Sequence, residues 1–193
     1  MVPCYVSGKG MYATVTTWAF KTAVIEALES SLLGYDTRYR YYRTQFPDMD
    51  ALELARLICD PIEYYDKDWP VYRAGDGIRL PPVEAATRFM LERDHLFRAE
   101  AQAAIYCFDE AGFGSGVNVM RFLDAGKPLL GFYNSELKDD NVNVSNILQL
   151  ALDFPRLATL REYSSIEEVP EQVISWLRET FPTGGKVSKL HPI

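Results

Sequence analysis

The sequence predicts a three-layer α/β sandwich, with four or five mostly parallel strands and helices on both faces. Three observations predict it. Residues Ala103 to Asp109 form a short, nearly unbroken apolar run that ends in an acid, the pattern of a strand buried on both faces. Three glycines at alternate positions follow (Gly112, Gly114, Gly116), and then Val117, Met120 and Phe122 to Leu123 recur at helical spacing. Gly126 stands where a helix C-cap belongs, Pro128 keeps the helix from continuing, and Leu129 to Tyr133 is a second apolar run. Strand, glycine turn, helix and strand make a βαβ unit with a right-handed crossover. Segments 2–7, 103–109 and 128–133 are the most apolar and are expected at the centre of the sheet. Ligands of open α/β sheets bind at the carboxyl ends of strands, so the loop 109–118 is the first candidate site.

The other elements follow in chain order. Val2 to Val6 reads as a strand and Ser7 to Gly10 as the turn after it. Thr17 is placed to cap a helix that carries Phe20, Val24, Leu28 and Leu32 on one face and stops at Gly34. Tyr35 to Arg43, rich in tyrosine and arginine, suggests an exposed or edge strand. Asp50 to Glu53 has capping-box spacing and opens a helix through Ile58. Residues 59–83 hold prolines, glycines, Tyr64, Tyr65, Trp69 and Tyr72, an excursion too aromatic for a solvated linker. Pro82 starts a helix to about Ala101, with Ala86, Met90 and Phe97 inward. After Tyr133 a polar loop precedes a helix from Asn143 to Phe154 and a strand at 157–160. Ser164 to Glu167 is read as the cap of a last helix with Val169, Val173, Ile174 and Leu177 on its core face. One domain, 1–182, and a frayed tail, 183–193, are expected.

Composition removes several function classes. The chain has 193 residues, 48% of them hydrophobic, enough for the core of one domain. Its net charge is −7, from 27 acids and 20 bases, which argues against a nucleic acid polymer as partner. Three scattered cysteines, with Cys4 and Cys107 in apolar runs, read as buried thiols in a reducing cytoplasm. Two histidines and no Cys-x-x-Cys spacing offer no metal site, and no cofactor is expected. No signal peptide or membrane-spanning run is expected.

Common nucleotide and hydrolase motifs fail. The glycines at 112–116 do not complete the three-glycine dinucleotide fingerprint, and no acid follows at the ribose spacing. Ser7-Gly-Lys-Gly10 lacks the Walker spacing. Ser115 has Phe113 and Val117 where a nucleophile elbow needs glycines. The loop also has a structural reading, a tight packing turn. A second glycine turn after the first strand favours a shared ligand cleft.

Asp109 to Lys127, with Gly-x-Gly-x-Asn and Gly-Lys-Pro, resembles the active-site turn of the nucleoside 2-deoxyribosyltransferase family. Tyr5-Val-Ser-Gly8 is similar to that family's first strand and turn. The resemblance implies a Rossmann- or flavodoxin-like fold and N-glycosidic bond chemistry on a nucleoside or nucleotide. It also implies a base or catalytic contact at Asp94, aromatic residues near the base at Tyr64, Tyr65 and Trp69, and a homo-oligomer in which a neighbouring chain contributes Asn143. Family members use a glutamate nucleophile; here that position is Asn118, and an amide cannot attack an anomeric carbon as a carboxylate does. Asp109 or Glu110 is then the candidate replacement carboxylate. The candidate catalytic set is Asp94, Asp109, Glu110 and Asn118. The candidate binding set is Tyr5, Ser7, Gly8, Lys9, Gly114, Ser115, Gly116 and Asn143. Each has a structural reading beside it: core for Tyr5, solvated charges for Lys9, Asp109 and Glu110, a helix surface acid beside Arg93 and Arg98 for Asp94, an N-cap for Asn143. The alternative function is a binding protein that keeps the nucleotide or sugar-phosphate cleft without chemistry.

Overall fold

A computed structural model describes residues 1–9, 15–50, 53–54, 57–58, 82–134 and 144–182, those at 82–90 and 144 by backbone alone. Cys59, Tyr64, Tyr65, Trp69, Asn143, Gly10 and the tail lie outside them. Among the described residues five strands, all parallel, form one sheet in the order β2-β1-β3-β4-β5. They are β1 Val2–Ser7, β2 Gly34–Asp36, β3 Ala103–Cys107, β4 Leu129–Tyr133 and β5 Ala158–Glu162. The three most apolar segments are the three inner strands, as their composition requires, because an inner parallel strand is covered on both faces. Every residue of β1 and β3 is buried.

Six α-helices stand among the described residues: α1 Val15–Ser31, α2 Thr37–Gln45, α3 Pro82–Glu100, α4 Phe113–Asp124, α5 Val144–Asp153 and α6 Val169–Thr180. Helices α1 and α6 pack on each other, and Phe20 of α1 meets Phe132 of β4 at 5.4 Å between ring centroids. On the opposite face Phe122 of α4 meets Tyr5 of β1 at 5.4 Å. This is a Rossmann- or flavodoxin-like three-layer fold. From β1 the chain first runs outward to β2 and later crosses back to β3, so the strand order reverses between β1 and β3. That reversal is the topological switch point, where the carboxyl ends of the two strands leave a crevice.

Several local expectations are corrected. Residues 37–45 are helix, and only Gly34–Asp36 is strand. Asp36 is the cause: its Oδ1 accepts the Tyr39 amide at 2.7 Å, an N-cap bond. Within α2, Arg43 lies 5.5 Å from the Tyr39 ring one turn away, the pairing that a helix gives such a sequence. Thr17 sits inside α1 rather than at its cap. Gly34 is not a C-cap either: Leu32 takes the left-handed conformation, φ 58°, and Gly34 opens β2. A Cβ on Gly34 would stand 2.8 Å from the Val2 carbonyl oxygen, so this glycine permits β1 and β2 to approach. Helix α4 begins at Phe113, four residues before Val117, and its core stripe is Val119, Phe122 and Leu123; Val117 and Met120 point into a groove. Trp176, not Ile174, completes the core face of α6, and a 3-10 turn at Ile166–Glu168 precedes that helix. Gly126 closes α4 as expected, with φ 68° and its amide on the Leu123 carbonyl.

These backbone details set a paired expectation for chemical denaturation. Leu32→Gly relieves the left-handed strain at a side chain that is 72% exposed, and raises stability by about 1 kcal/mol. Gly34→Ala forces β1 and β2 apart and lowers it by about 1–3 kcal/mol.

Candidate functional site

The crevice at the switch point is built from the turn after β1, the turn after β3 and the start of α4. The two turns meet directly: the Ser115 hydroxyl donates to the Gly8 carbonyl at 3.1 Å. Gly8 lies close enough to β3 that a Cβ there would stand 3.2 Å from the Cys107 carbonyl oxygen. Gly112, Gly114 and Gly116 differ from it. None has a positive φ, and a Cβ on any of them would meet none of the described residues within 4 Å. The packing of the described residues therefore does not demand these glycines, and among those residues the first turn of α4 is open. Gly112 caps that helix without a side-chain bond, so no cap side chain takes up the first amides. The glycine positions were legible in the sequence; that they are open rather than tightly packed was not.

On the α3 side the crevice is walled by charge. The Arg98 guanidinium donates to Asn118 Oδ1 at 2.6 Å. It also lies 4.0 Å from Asp94, whose other oxygen is 3.3 Å from Arg93. Because a guanidinium only donates, the Asn118 amide must present its oxygen to Arg98, which leaves its NH2 as the group available to a ligand. Ser115 and Asn118 are three residues apart and share one face of α4. Tyr5 lies beneath this wall, fully buried, with Arg38 4.4 Å over its ring. Burial pushes its phenol up to about 12, Asp94 adding to the shift and Arg38, Arg93 and Arg98 opposing it. The hydroxyl stays protonated near neutral pH. Tyr106 stands beside Tyr5, its hydroxyl also fully buried and raised in pKa by burial.

The two acids of the β3 turn are occupied elsewhere. Asp109 is buried; its Oδ1 accepts the Asn134 amide at 2.7 Å, and its Oδ2 accepts from the Tyr163 hydroxyl and, at 3.6 Å, from the Cys107 thiol. It joins β3, β4 and the end of β5. Burial, reinforced by Asp109, pushes the Cys107 thiol up to about 12, so it is an inert thiol. Glu110 accepts from the Thr17 hydroxyl and lies 3.8 Å from Lys9. Lys9 in turn has its carbonyl held by the buried Lys21 ammonium at 2.9 Å.

The structure thus brings Gly8 to Ser115, Lys9 to Glu110, and Asp94 to Asn118 through Arg98. It sets Asp109 apart and buries Tyr5 and Ser7. Sequence reasoning missed Arg38, Lys21, Thr17, Tyr106 and Tyr163 as parts of this region, and it read Arg93 and Arg98 only as surface partners of Asp94. A groove of about 700 Å³ between α3 and α4 runs past Arg98, and one of about 680 Å³ lies between α4 and α5. No helix among the described residues is long and apolar enough to cross a membrane, and none of them form a cluster of metal-ligating side chains.

No protein-family model matches the chain, and no curated protein matches its sequence.

The bonding of Asp109 sets a direct expectation. Tyr163→Phe removes the hydroxyl and leaves a buried carboxylate oxygen with only a weak thiol donor. It should lower stability by about 1–3 kcal/mol in urea unfolding, and ligand binding by the folded fraction should be unchanged.

Proposed function

We propose that the chain binds a nucleoside or nucleotide in the switch-point crevice and does not use Asn118 as a nucleophile. The observation that carries this reading is the bond from Arg98 to Asn118 Oδ1, which fixes the amide as a donor toward the crevice. A donor NH2 at that point suits a sugar hydroxyl or ring oxygen. The open glycine turn supports the reading, because it lets a ligand approach the backbone amides of α4. Asp94 is joined to Asn118 through Arg98, and two arginines hold it. Its oxygens are already engaged by the two guanidiniums, which orients it for hydrogen bonding to a ligand. The ligand is a small molecule, and the protein acts as a homo-oligomer. Phe113, Leu96 and Leu152, 91%, 67% and 79% exposed, offer apolar surface for that assembly.

A second reading, N-glycosidic bond cleavage or transfer with Asp94 as the working carboxylate, is favoured only by the closeness of Asp94 to Asn118 through Arg98. One set of assays separates the two. The wild type should show a higher melting temperature with nucleosides or nucleotides and no deoxyribosyl transfer between purine and pyrimidine acceptors. Asn118→Glu places a carboxylate against Arg98, which keeps it ionised, and should introduce measurable transfer. Transfer by the wild type at ~1 per second or above would overturn the binding reading. An inert variant, with no ligand stabilising either protein, would remove the nucleoside reading altogether.

A further inference from the structure

The sheet ends at β5, and no described strand lies beyond it. Its bonds to β4 fix the way its backbone points. The Leu157 carbonyl accepts the Leu129 amide and the Tyr163 amide donates to the Tyr133 carbonyl, so the odd-numbered residues face β4. Ala158, Leu160 and Glu162 therefore aim their N–H and C=O groups away from the sheet. The Ala158 amide is spent on the Phe154 carbonyl at 2.9 Å, so Leu160 is the first residue to present both groups outward. Such an edge is a template for another strand, and Ala158–Glu162 holds no proline to blunt it.

An apolar helix face overhangs the same edge. Leu160 and Phe108 both crowd the place of a Cβ on Gly131, and Phe108 lines the groove between α4 and α5, so Leu160 lies on that face of the sheet. Thr159, bonded to Trp176 of α6, faces the other way. Helix α5 packs on β5, with Ile147 buried and Leu150 turned to the groove toward α4. Leu148 and Leu152, one turn apart, stand on the side away from α4, 43% and 79% exposed. Strand edge and leucine pair lie side by side.

The charges select one way for two copies to meet there. A twofold axis perpendicular to the sheet pairs the two strands antiparallel. Centred on Arg161 it sets two arginines face to face, and centred on Glu162 two glutamates, both unfavourable. Centred on Thr159 it calls on the Ala158 amide, which is already spent. Centred on Leu160, the two leucines exchange both backbone hydrogen bonds, and Glu162 of each copy lies diagonal to Arg156 of the other. The same pairing brings Leu148 and Leu152 of the two α5 helices together over the seam.

We propose that two copies of the chain join through β5, antiparallel about an axis at Leu160, into one continuous sheet. The proposal rests on the homo-oligomer named above and says which face builds it. The contact uses the same patch on both copies, so it closes at the dimer. Antiparallel pairing turns the carboxyl ends of the two sheets to opposite ends of the dimer, and each copy keeps its own crevice.

The test is sedimentation velocity of the full chain over a range of micromolar concentrations. The wild type should sediment as a dimer. Leu148→Lys together with Leu152→Lys gathers like charges at the seam and should weaken the dimer at least ~100-fold. Arg156→Glu should weaken it about 10-fold, and adding Glu162→Arg should restore it, because the pair re-forms with its signs exchanged. Leu91→Lys, on α3 and 49% exposed, should change nothing. A monomeric wild type overturns the proposal and the homo-oligomer reading together. An oligomer that withstands the two lysines overturns the β5 interface and leaves the homo-oligomer standing. Failure of the exchanged charges to restore the dimer overturns the axis at Leu160 and the proposal with it. If the lysine variant does not fold, the charge exchange decides alone.

Discussion

A single buried carboxylate, Asp36, joins the edge of the sheet to the wall of the crevice. Both its oxygens are used: Oδ2 accepts the Val6 amide of β1 and Oδ1 the Tyr39 amide of α2, each at 2.7 Å. At Val6 the side chain stands where the next carbonyl of a longer β2 would have stood. The strand can therefore stop after three residues without orphaning the β1 ladder. The same group then starts α2, and α2 carries Arg38 over Tyr5. Burial raises the Asp36 carboxyl's pKa while Arg38 and the two amides oppose the shift. Strand end, helix start and arginine position are thus one interaction seen from three sides.

The sheet was legible because its inner strands are short apolar runs bounded by glycine and proline, and burial on both faces leaves no other composition possible for them. The edge strand β5 was legible near 157–160, but the extent of β2 was not, since three residues carry no period. The helical nature of 37–45 was hidden by tyrosine and arginine, which suit a strand as well as a helix. Only the N-cap at Asp36 decides between them, and that bond becomes visible when Asp36 is seen to be buried beneath the sheet's edge.

The place of the candidate site was legible and its chemistry was not. Glycines after the first and third strands pointed to the switch point, and the Ser115 to Gly8 bond brings those turns together. Asp109 looked like an accessible loop acid because its partners, Asn134 and Tyr163, lie 25 and 54 residues away. The arginines of α3 looked like solvated helix charges for the same reason. Position on a helix says how residues five apart are disposed around its axis, but not that β1 and α4 cover them. Arg98 meets Asn118 across 20 residues of sequence, and only the packing of α3 beside α4 makes that a contact.

The turn after α4 has a mechanical consequence. The Lys127 ammonium, just past the Gly126 cap, donates to the carbonyls of Arg98 and Ala99 at 2.6 and 3.3 Å, clasping the end of α3. The two helices are therefore pinned at one end and free of that clasp at the other. A movement that parts them must swing like a pair of tongs about Lys127, widest near the start of α4. Sliding of one helix along the other would break the clasp. The crevice and the groove beside it would then open and shut as one jaw, with Arg98 next to the pivot and displaced least.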